Sequence, residues 1–180
     1  MKTFKKIGLT ALMALALVFN SCSSDSDGGG SSSLSTYISA KVDGTSFETA
    51  SIQGQSVGVA MKQGTGDMQL ITISCGDQTT ITDQDYKAIY IALVGPITAG
   101  TTYQVNSTTN NTLGYTETAG DNDVTWDTGD CENATGSITV TSISDTKIEG
   151  TFTFTGSKED ACSSQKTVTN GKFRGTFQSF

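Results

Sequence analysis

The chain has 180 residues, 35% of them hydrophobic and none of them histidine, with one proline against 20 glycines. That length suits one domain, and the missing imidazole removes histidine-based triads, histidine-ligated zinc and haem, and imidazole general bases. Collagen-like and proline-rich disordered classes fail on proline content, while 30 threonines beside 21 serines suit strand faces better than helices.

Lys2, Lys5 and Lys6 precede an apolar run from Leu9 to Phe19. The run is too short for a permanent membrane span and has the order of a secretory signal peptide. It ends at Val18-Phe19-Asn20-Ser21-Cys22, which resembles the lipobox of bacterial lipoproteins, although Phe19 and Asn20 depart from the strict pattern. The resemblance implies that residues 1–21 are removed and that Cys22 is diacylated and anchors the chain to a membrane. The plainer alternative is an ordinary secretory signal with a cysteine near its end. Ser23 to Ser33 offer no apolar side chain to bury, so residues 22–34 read as a lipidated cysteine and a Gly/Ser tether. A tether of this length has a root-mean-square reach of roughly 20 Å. Its Ser/Asp start looks like the surface-export signals of Bacteroidota-type lipoproteins, which implies an outer-membrane protein facing outward rather than toward the periplasm. Residues 22–180 hold 8 basic and 18 acidic residues, a net charge of −10 that repels nucleic acid and anionic lipid and suits cations, neutral glycans or basic proteins.

From Leu34 onward the pattern has period two, broken by Gly, Asp, Asn and Ser. Ile38, Ala40 and Val42 alternate with Ser39 and Lys41, Val57, Val59 and Met61 follow the same period, and the segment from Met68 to Cys75 reads as a more buried strand. Ala88 to Val94 is apolar on both faces, which predicts a central strand covered on each side. Gly95-Pro96 ends it, and a new strand starts at Thr102. Ile138 and Val140 face one way, Ser144-Asp145 turns the chain, and Ile148, Phe152 and Phe154 return as a hairpin with Thr151, Thr153 and Thr155 toward water. A polar loop is expected from Gly156 to Gln165. Keeping Val168, Phe173 and Phe177 on one face then requires a bulge at Asn170-Gly171, with Gly171 at positive φ. About nine or ten strands of this kind predict an all-β domain over residues 35–180, an antiparallel β-sandwich or partly open barrel.

Three phrases resemble a family of small Bacteroidota lipoproteins described only as domains of unknown function. They are Ile38-Ser39-Ala40-Lys41-Val42-Asp43-Gly44-Thr45-Ser46-Phe47-Glu48, Ala99-Gly100-Thr101-Thr102-Tyr103, and the carboxyl-terminal phrases Gly150-Thr151-Phe152-Thr153-Phe154 to Thr169-Asn170-Gly171-Lys172-Phe173. The resemblance implies the fold and the envelope compartment and brings no functional residue with it.

Cys75, Cys131 and Cys162 remain beside Cys22. In an oxidising compartment Cys131 and Cys162, both in polar loops, are the expected disulfide, closing about 30 residues and contributing roughly 3 to 4 kcal/mol. Cys75 ends an apolar strand and reads as a small buried hydrophobe, with no histidine to activate it as a nucleophile.

The densest polar stretch runs from Asp121 to Glu132. Its carboxylates Asp121, Asp123, Asp127 and Glu132 fall at EF-hand-like offsets and could offer oxygens to calcium, although Trp126 stands where such a loop needs glycine. A solvated acidic turn is the plainer reading. Asp121, Asp123, Asp127, Asp130 and Glu132 also supply nominal pairs for glycoside hydrolysis. Trp126, the one tryptophan, and Tyr115 either stack on a sugar ring or plug one end of the core. The sequence therefore predicts a non-enzymatic, lipid-anchored envelope module without a resident cofactor. A glycan-binding accessory protein and a carboxylate hydrolase are its rivals, and a glycan or a protein is the expected partner.

Overall fold

The computed structural model describes residues 35–178; the expectations for residues 1–21, for Cys22 and for the tether to residue 34 lie outside them. Among the described residues the first strands are β1 (Tyr37–Val42), β2 (Thr45–Glu48), β3 (Ser51–Ile52), β4 (Gln55–Ser56), β5 (Gly58–Gln63) and β6 (Leu70–Gly76). There follow β7 (Asp85–Val94), β8 (Thr101–Asn106), β9 (Thr112–Ala119), β10 (Asn122–Asp127), β11 (Thr135–Ile143), β12 (Lys147–Lys158) and β13 (Ala161–Thr176). One 3-10 turn, Gly66–Met68, links β5 to β6. The all-β expectation holds, as a curled antiparallel sheet that forms a half-barrel.

Two wings make up the curl. The first runs β5-β6-β7-β9-β10 and the second runs β8-β11-β12-β13-β1-β2, with β3 and β4 as a separate short pair. They join where Asp127 of β10 pairs with Ser157 near the end of β12. On the other side a parallel bridge between Ala60 and Phe177 draws β5 toward the exit of β13. The inner faces of both wings share one core, with Ile73, Ile89, Ile91 and Leu93 from the first meeting Ile38, Phe152, Phe154 and Phe173 from the second. Alternation explains this directly: β12 buries every second residue from Ile148 to Phe154 and leaves Thr151 and Thr153 exposed.

Four local expectations change. Val59 and Met61 are half-buried on the outer face, and Ala60 is the fully buried residue of β5. The small side chain is required there because β13 comes close: a Cβ on Gly175 would lie 2.7 Å from the Cβ of Ala60. Strand β7 is central, paired to β6 and β9, and its Ile89-Ile91-Leu93 side is buried, while on the other side Ala88 is covered and Tyr90, Ala92 and Val94 stay half-exposed. The predicted loop from Gly156 to Gln165 is instead a hairpin, with Lys158 opposite Ala161 and Ser157 opposite Gln165. Polar strand residues conceal it, because Cys162, Ser163 and Ser164 bulge out between those two pairs. The bulge at residues 169–170 does occur, but Asn170 takes the left-handed conformation, at φ 55°, and not Gly171. Asparagine tolerates that region. Gly171 answers a different demand, since a Cβ there would lie 2.6 Å from the Phe152 carbonyl oxygen.

Candidate functional site

The acidic stretch is mostly strand. Asn122–Asp127 pairs along β9, so Asp123 and Asp127 sit roughly 13 Å apart on extended backbone and cannot wrap one ion. No cluster of metal-ligating side chains forms among the described residues, and the EF-hand-like offsets of Asp121, Asp123, Asp127 and Glu132 do not translate into convergence. Nor does the Asp123/Asp127 spacing match the roughly 5 to 9.5 Å of glycosidase pairs. Asp127 is engaged locally: Tyr90 donates its hydroxyl at 3.2 Å and the Gly129 N–H donates at 2.8 Å. The Tyr90 ring lies over Gly114, where any side chain would collide with it. Burial first, and then the Asp127 charge, push the Tyr90 phenol above its ordinary value.

Trp126 and Tyr115 are neighbours, but they face inward. Their rings lie 6.1 Å apart, Trp126 is 8% exposed and Tyr115 is 1% exposed. The sugar-stacking platform expected from them is therefore absent, because both residues hold inner-face positions in a directly opposed pair on β9 and β10. Their polar atoms are satisfied internally. Trp126 Nε1 donates to Ser164 Oγ at 3.2 Å, and Tyr115 donates to Glu117 Oε1 at 2.9 Å. Lys166 closes this end of the half-barrel, 3.3 Å from Glu117, 3.5 Å from Asp43 and 5.1 Å above the Trp126 ring. Desolvation and the Glu117 hydrogen bond raise the Tyr115 phenol. The arrangement ties β13 to β9 across the core.

The expected disulfide forms: Cys131 and Cys162 are bonded with their Cα atoms 5.7 Å apart. It sits at the joint between the wings. Asn133 Nδ2 donates to the Cys162 carbonyl at 2.8 Å, and Ser157 Oγ donates to Asn133 Oδ1 at 3.2 Å. Cys75 is free and buried, as expected, and burial pushes its thiol up to about 12.

A broad concavity lies elsewhere, on the outer face of the second wing. An open groove of about 710 Å³ runs across β2, β1, β13, β12 and β11, over a floor that includes Gly171. One row of opposed residues crosses it: Thr102, Thr139, Thr151, Lys172, Ser39 and Glu48. A second contributes Ser137, Thr153, Lys41 and Ser46, with Asn170 at the bulge. Thr102 and Thr139 share a hydroxyl hydrogen bond of 2.8 Å, and Thr153 donates to the Val168 carbonyl at 2.8 Å. At the flank Arg174 donates to Glu149 at 2.8 Å and, with Lys147, holds that carboxyl below its usual range. Sequence reasoning placed Thr151 and Thr153 toward water, yet it missed the groove, because only strand pairing brings Lys41 and Lys172 beside them.

Charge is divided between the wings. Residues 49–100 and 107–134, which build the first wing, hold two basic and ten acidic residues; residues 35–48, 101–106 and 135–178, which build the second, hold six of each. Lys62, Lys147, Lys158, Lys166 and Arg174 each meet an acidic partner. Among the described residues Lys41, Lys87 and Lys172 meet none within 4 Å, and of these Lys41 and Lys172 line the groove.

No curated protein and no solved structure matches the chain. A family model described as "Domain of unknown function (DUF6252)" matches residues 34–176, and on that match the chain belongs to this family.

Proposed function

We propose that this protein is a lipid-anchored module of the bacterial cell envelope that binds a ligand on the outer face of its second wing and performs no chemistry on it. The anchor is Cys22, reached through the basic start, the apolar run to Phe19 and Ser21 immediately before the cysteine. The Cys131–Cys162 disulfide supports an oxidising compartment. The observation that carries the binding part is the 710 Å³ groove, within the size range of ligand sites and lined by hydroxyls and two lysines without acidic partners. Outer-membrane surface display follows from the Ser/Asp start of the tether, which lifts the domain clear of the lipid headgroups.

The anchor is tested by metabolic labelling with a palmitate analogue in a bacterial host that processes lipoproteins. The wild-type chain takes up label and partitions with membranes, while Cys22→Ser is unlabelled and released in soluble form. Equal labelling of the two overturns the anchor. External protease on intact cells checks orientation: digestion of the anchored chain is the expected result, and full protection places it facing the periplasm.

A further inference from the structure

We infer that the groove on the second wing takes an acidic oligosaccharide, one whose sugar units carry carboxylates, an assignment that rests on the binding role proposed above. Three observations converge on it. First, Lys41 and Lys172 face the groove from adjacent strands as diagonal neighbours across the Asn170 bulge, an offset of roughly 7–8 Å. The groove contains one acidic residue, Glu48, so two ammonium groups keep a net positive charge there. Second, the remaining surface of the groove is hydroxyl and amide: Ser39, Ser137, Thr139, Thr151, Thr153 and Asn170. Such groups both donate and accept, which matches the ring hydroxyls of a sugar. Third, no exposed aromatic ring lines the groove to give a neutral sugar its stacking energy: Phe47 and Phe152 are buried beneath it, and Trp126 and Tyr115 lie in the core. Charge must replace stacking, and this favours an acidic sugar over a neutral one.

The acidic balance of the domain does not oppose this. The excess of carboxylates belongs to the first wing, beyond a core about 10 Å thick, and the Debye length at physiological salt is about 8 Å. An acidic peptide fits less well. Among the strands beneath the groove only β2, at its rim, leaves an edge open, so a peptide backbone finds no edge to pair with along the floor formed by β1, β13, β12 and β11. The open length of the groove suits the interior of a glycan chain better than its end.

The test uses the full chain in detergent micelles, titrated calorimetrically with tetragalacturonate, maltotetraose and poly-glutamate. Tetragalacturonate is expected to bind with preference. K41A/K172A is expected to weaken it about tenfold, as two exposed ion pairs together provide, and added salt acts in the same direction. Lys158→Ala, outside the groove, keeps the wild-type affinity. Unchanged affinity in K41A/K172A overturns the assignment, and so does poly-glutamate binding as tightly as the sugar. Maltotetraose binding equally well, and lost when Thr151→Arg fills the groove, refutes the acidic sugar but leaves the groove as the binding surface. Failure of all three probes, with folding intact, refutes the sugar assignment and counts against the groove as a saccharide surface.

Discussion

On the first wing the outer face presents Val59, Met61, Tyr90 and Val94, all half-buried, and its strands and loops hold ten of the sixteen acidic residues between positions 35 and 178. On the second it presents Thr139, Thr151, Thr153 and Lys172, and its acids and bases balance. Both wings obey the same period-two rule on their inner faces, where isoleucine, leucine and phenylalanine interdigitate in one core. The inner faces thus determine the fold, and the outer faces are free to differ in charge and chemistry. A threonine side chain toward water keeps β-branched stiffness without adding apolar surface, so the second wing combines high strand preference with a polar exterior.

If the wings form one cooperative unit, damage to one must be felt in the other. Phe173→Ala on β13 is expected to remove about 3–5 kcal/mol through lost burial and a cavity. The sole tryptophan, on β10, also bonds Ser164 and lies under Lys166 of β13, so it reports the contact between the wings, and its fluorescence midpoint in urea should fall with the mutation. An unmoved Trp126 midpoint means that the wings unfold independently. Replacing both Cys131 and Cys162 by serine should lower stability by roughly 3–4 kcal/mol, and a reductant added to the wild type should lower its melting temperature likewise. Equal melting temperatures with and without reductant would show that the joint holds without the bond.

Lys166→Met keeps most of the aliphatic stem over Trp126 and removes the ammonium beside Glu117 and Asp43; a loss of about 1–2 kcal/mol is expected. A double-mutant cycle with Glu117→Gln isolates the cross-wing term, and additivity there would remove Lys166 as a tie between wings. Both raised phenols act only in alkali. Tyr90 and Tyr115 have folded values above the unfolded value of about 10, so their contribution is complete below pH 10 and is lost as pH rises beyond it. Phenolate absorbance for these two should therefore grow in together with unfolding, and Y90F/Y115F should flatten the alkaline decline. The smallest effect belongs to Asp83. It accepts from Thr80 and Thr79 and is lowered to about 2, so its contribution is present above the ordinary carboxylate value of 3.8 and fades as pH falls toward 2. Asp83→Asn should leave the protein less sensitive to acid over that window, and an unchanged acid limb of the stability curve would remove this turn from the account.

Strands whose apolar residues alternate were legible before any pairing was known: β1, β11 and β12 follow from Ile38, Ala40 and Val42 and from the Ile138 to Phe154 hairpin. Strands without that alternation were not. β10 reads as an acidic loop because Asn122 and Asp123 are exposed, and only Val124 and Trp126 turn toward the core. The first half of β13 is hidden in the same way by Cys162, Ser163 and Gln165. The parity of β5 was misjudged because side-chain size pointed outward; the close approach of Gly175, more than 100 residues downstream, decides that Ala60 goes in. The disulfide pair was legible from the polar surroundings of Cys131 and Cys162, although Cys162 stands on β13 and not in a loop. The groove was not, since it depends on Lys41 and Lys172 meeting across a strand pair whose members stand at opposite ends of the domain.

That strand pair also sets an order of events during synthesis. β11, β12 and β13 are consecutive hairpins and close over short stretches of chain, but Ile38 on β1 has Phe173 on β13 as its partner. The β1–β2 hairpin emerges early and must keep Ile38, Ala40 and Val42 without their final neighbours until nearly the whole domain has been made. Non-local pairing of this kind slows the last step of folding and leaves an adhesive edge exposed in the interim. A newly made chain is therefore most vulnerable to aggregation and proteolysis in the interval before β13 arrives, and a truncation shortly before Val168 would prolong that interval indefinitely.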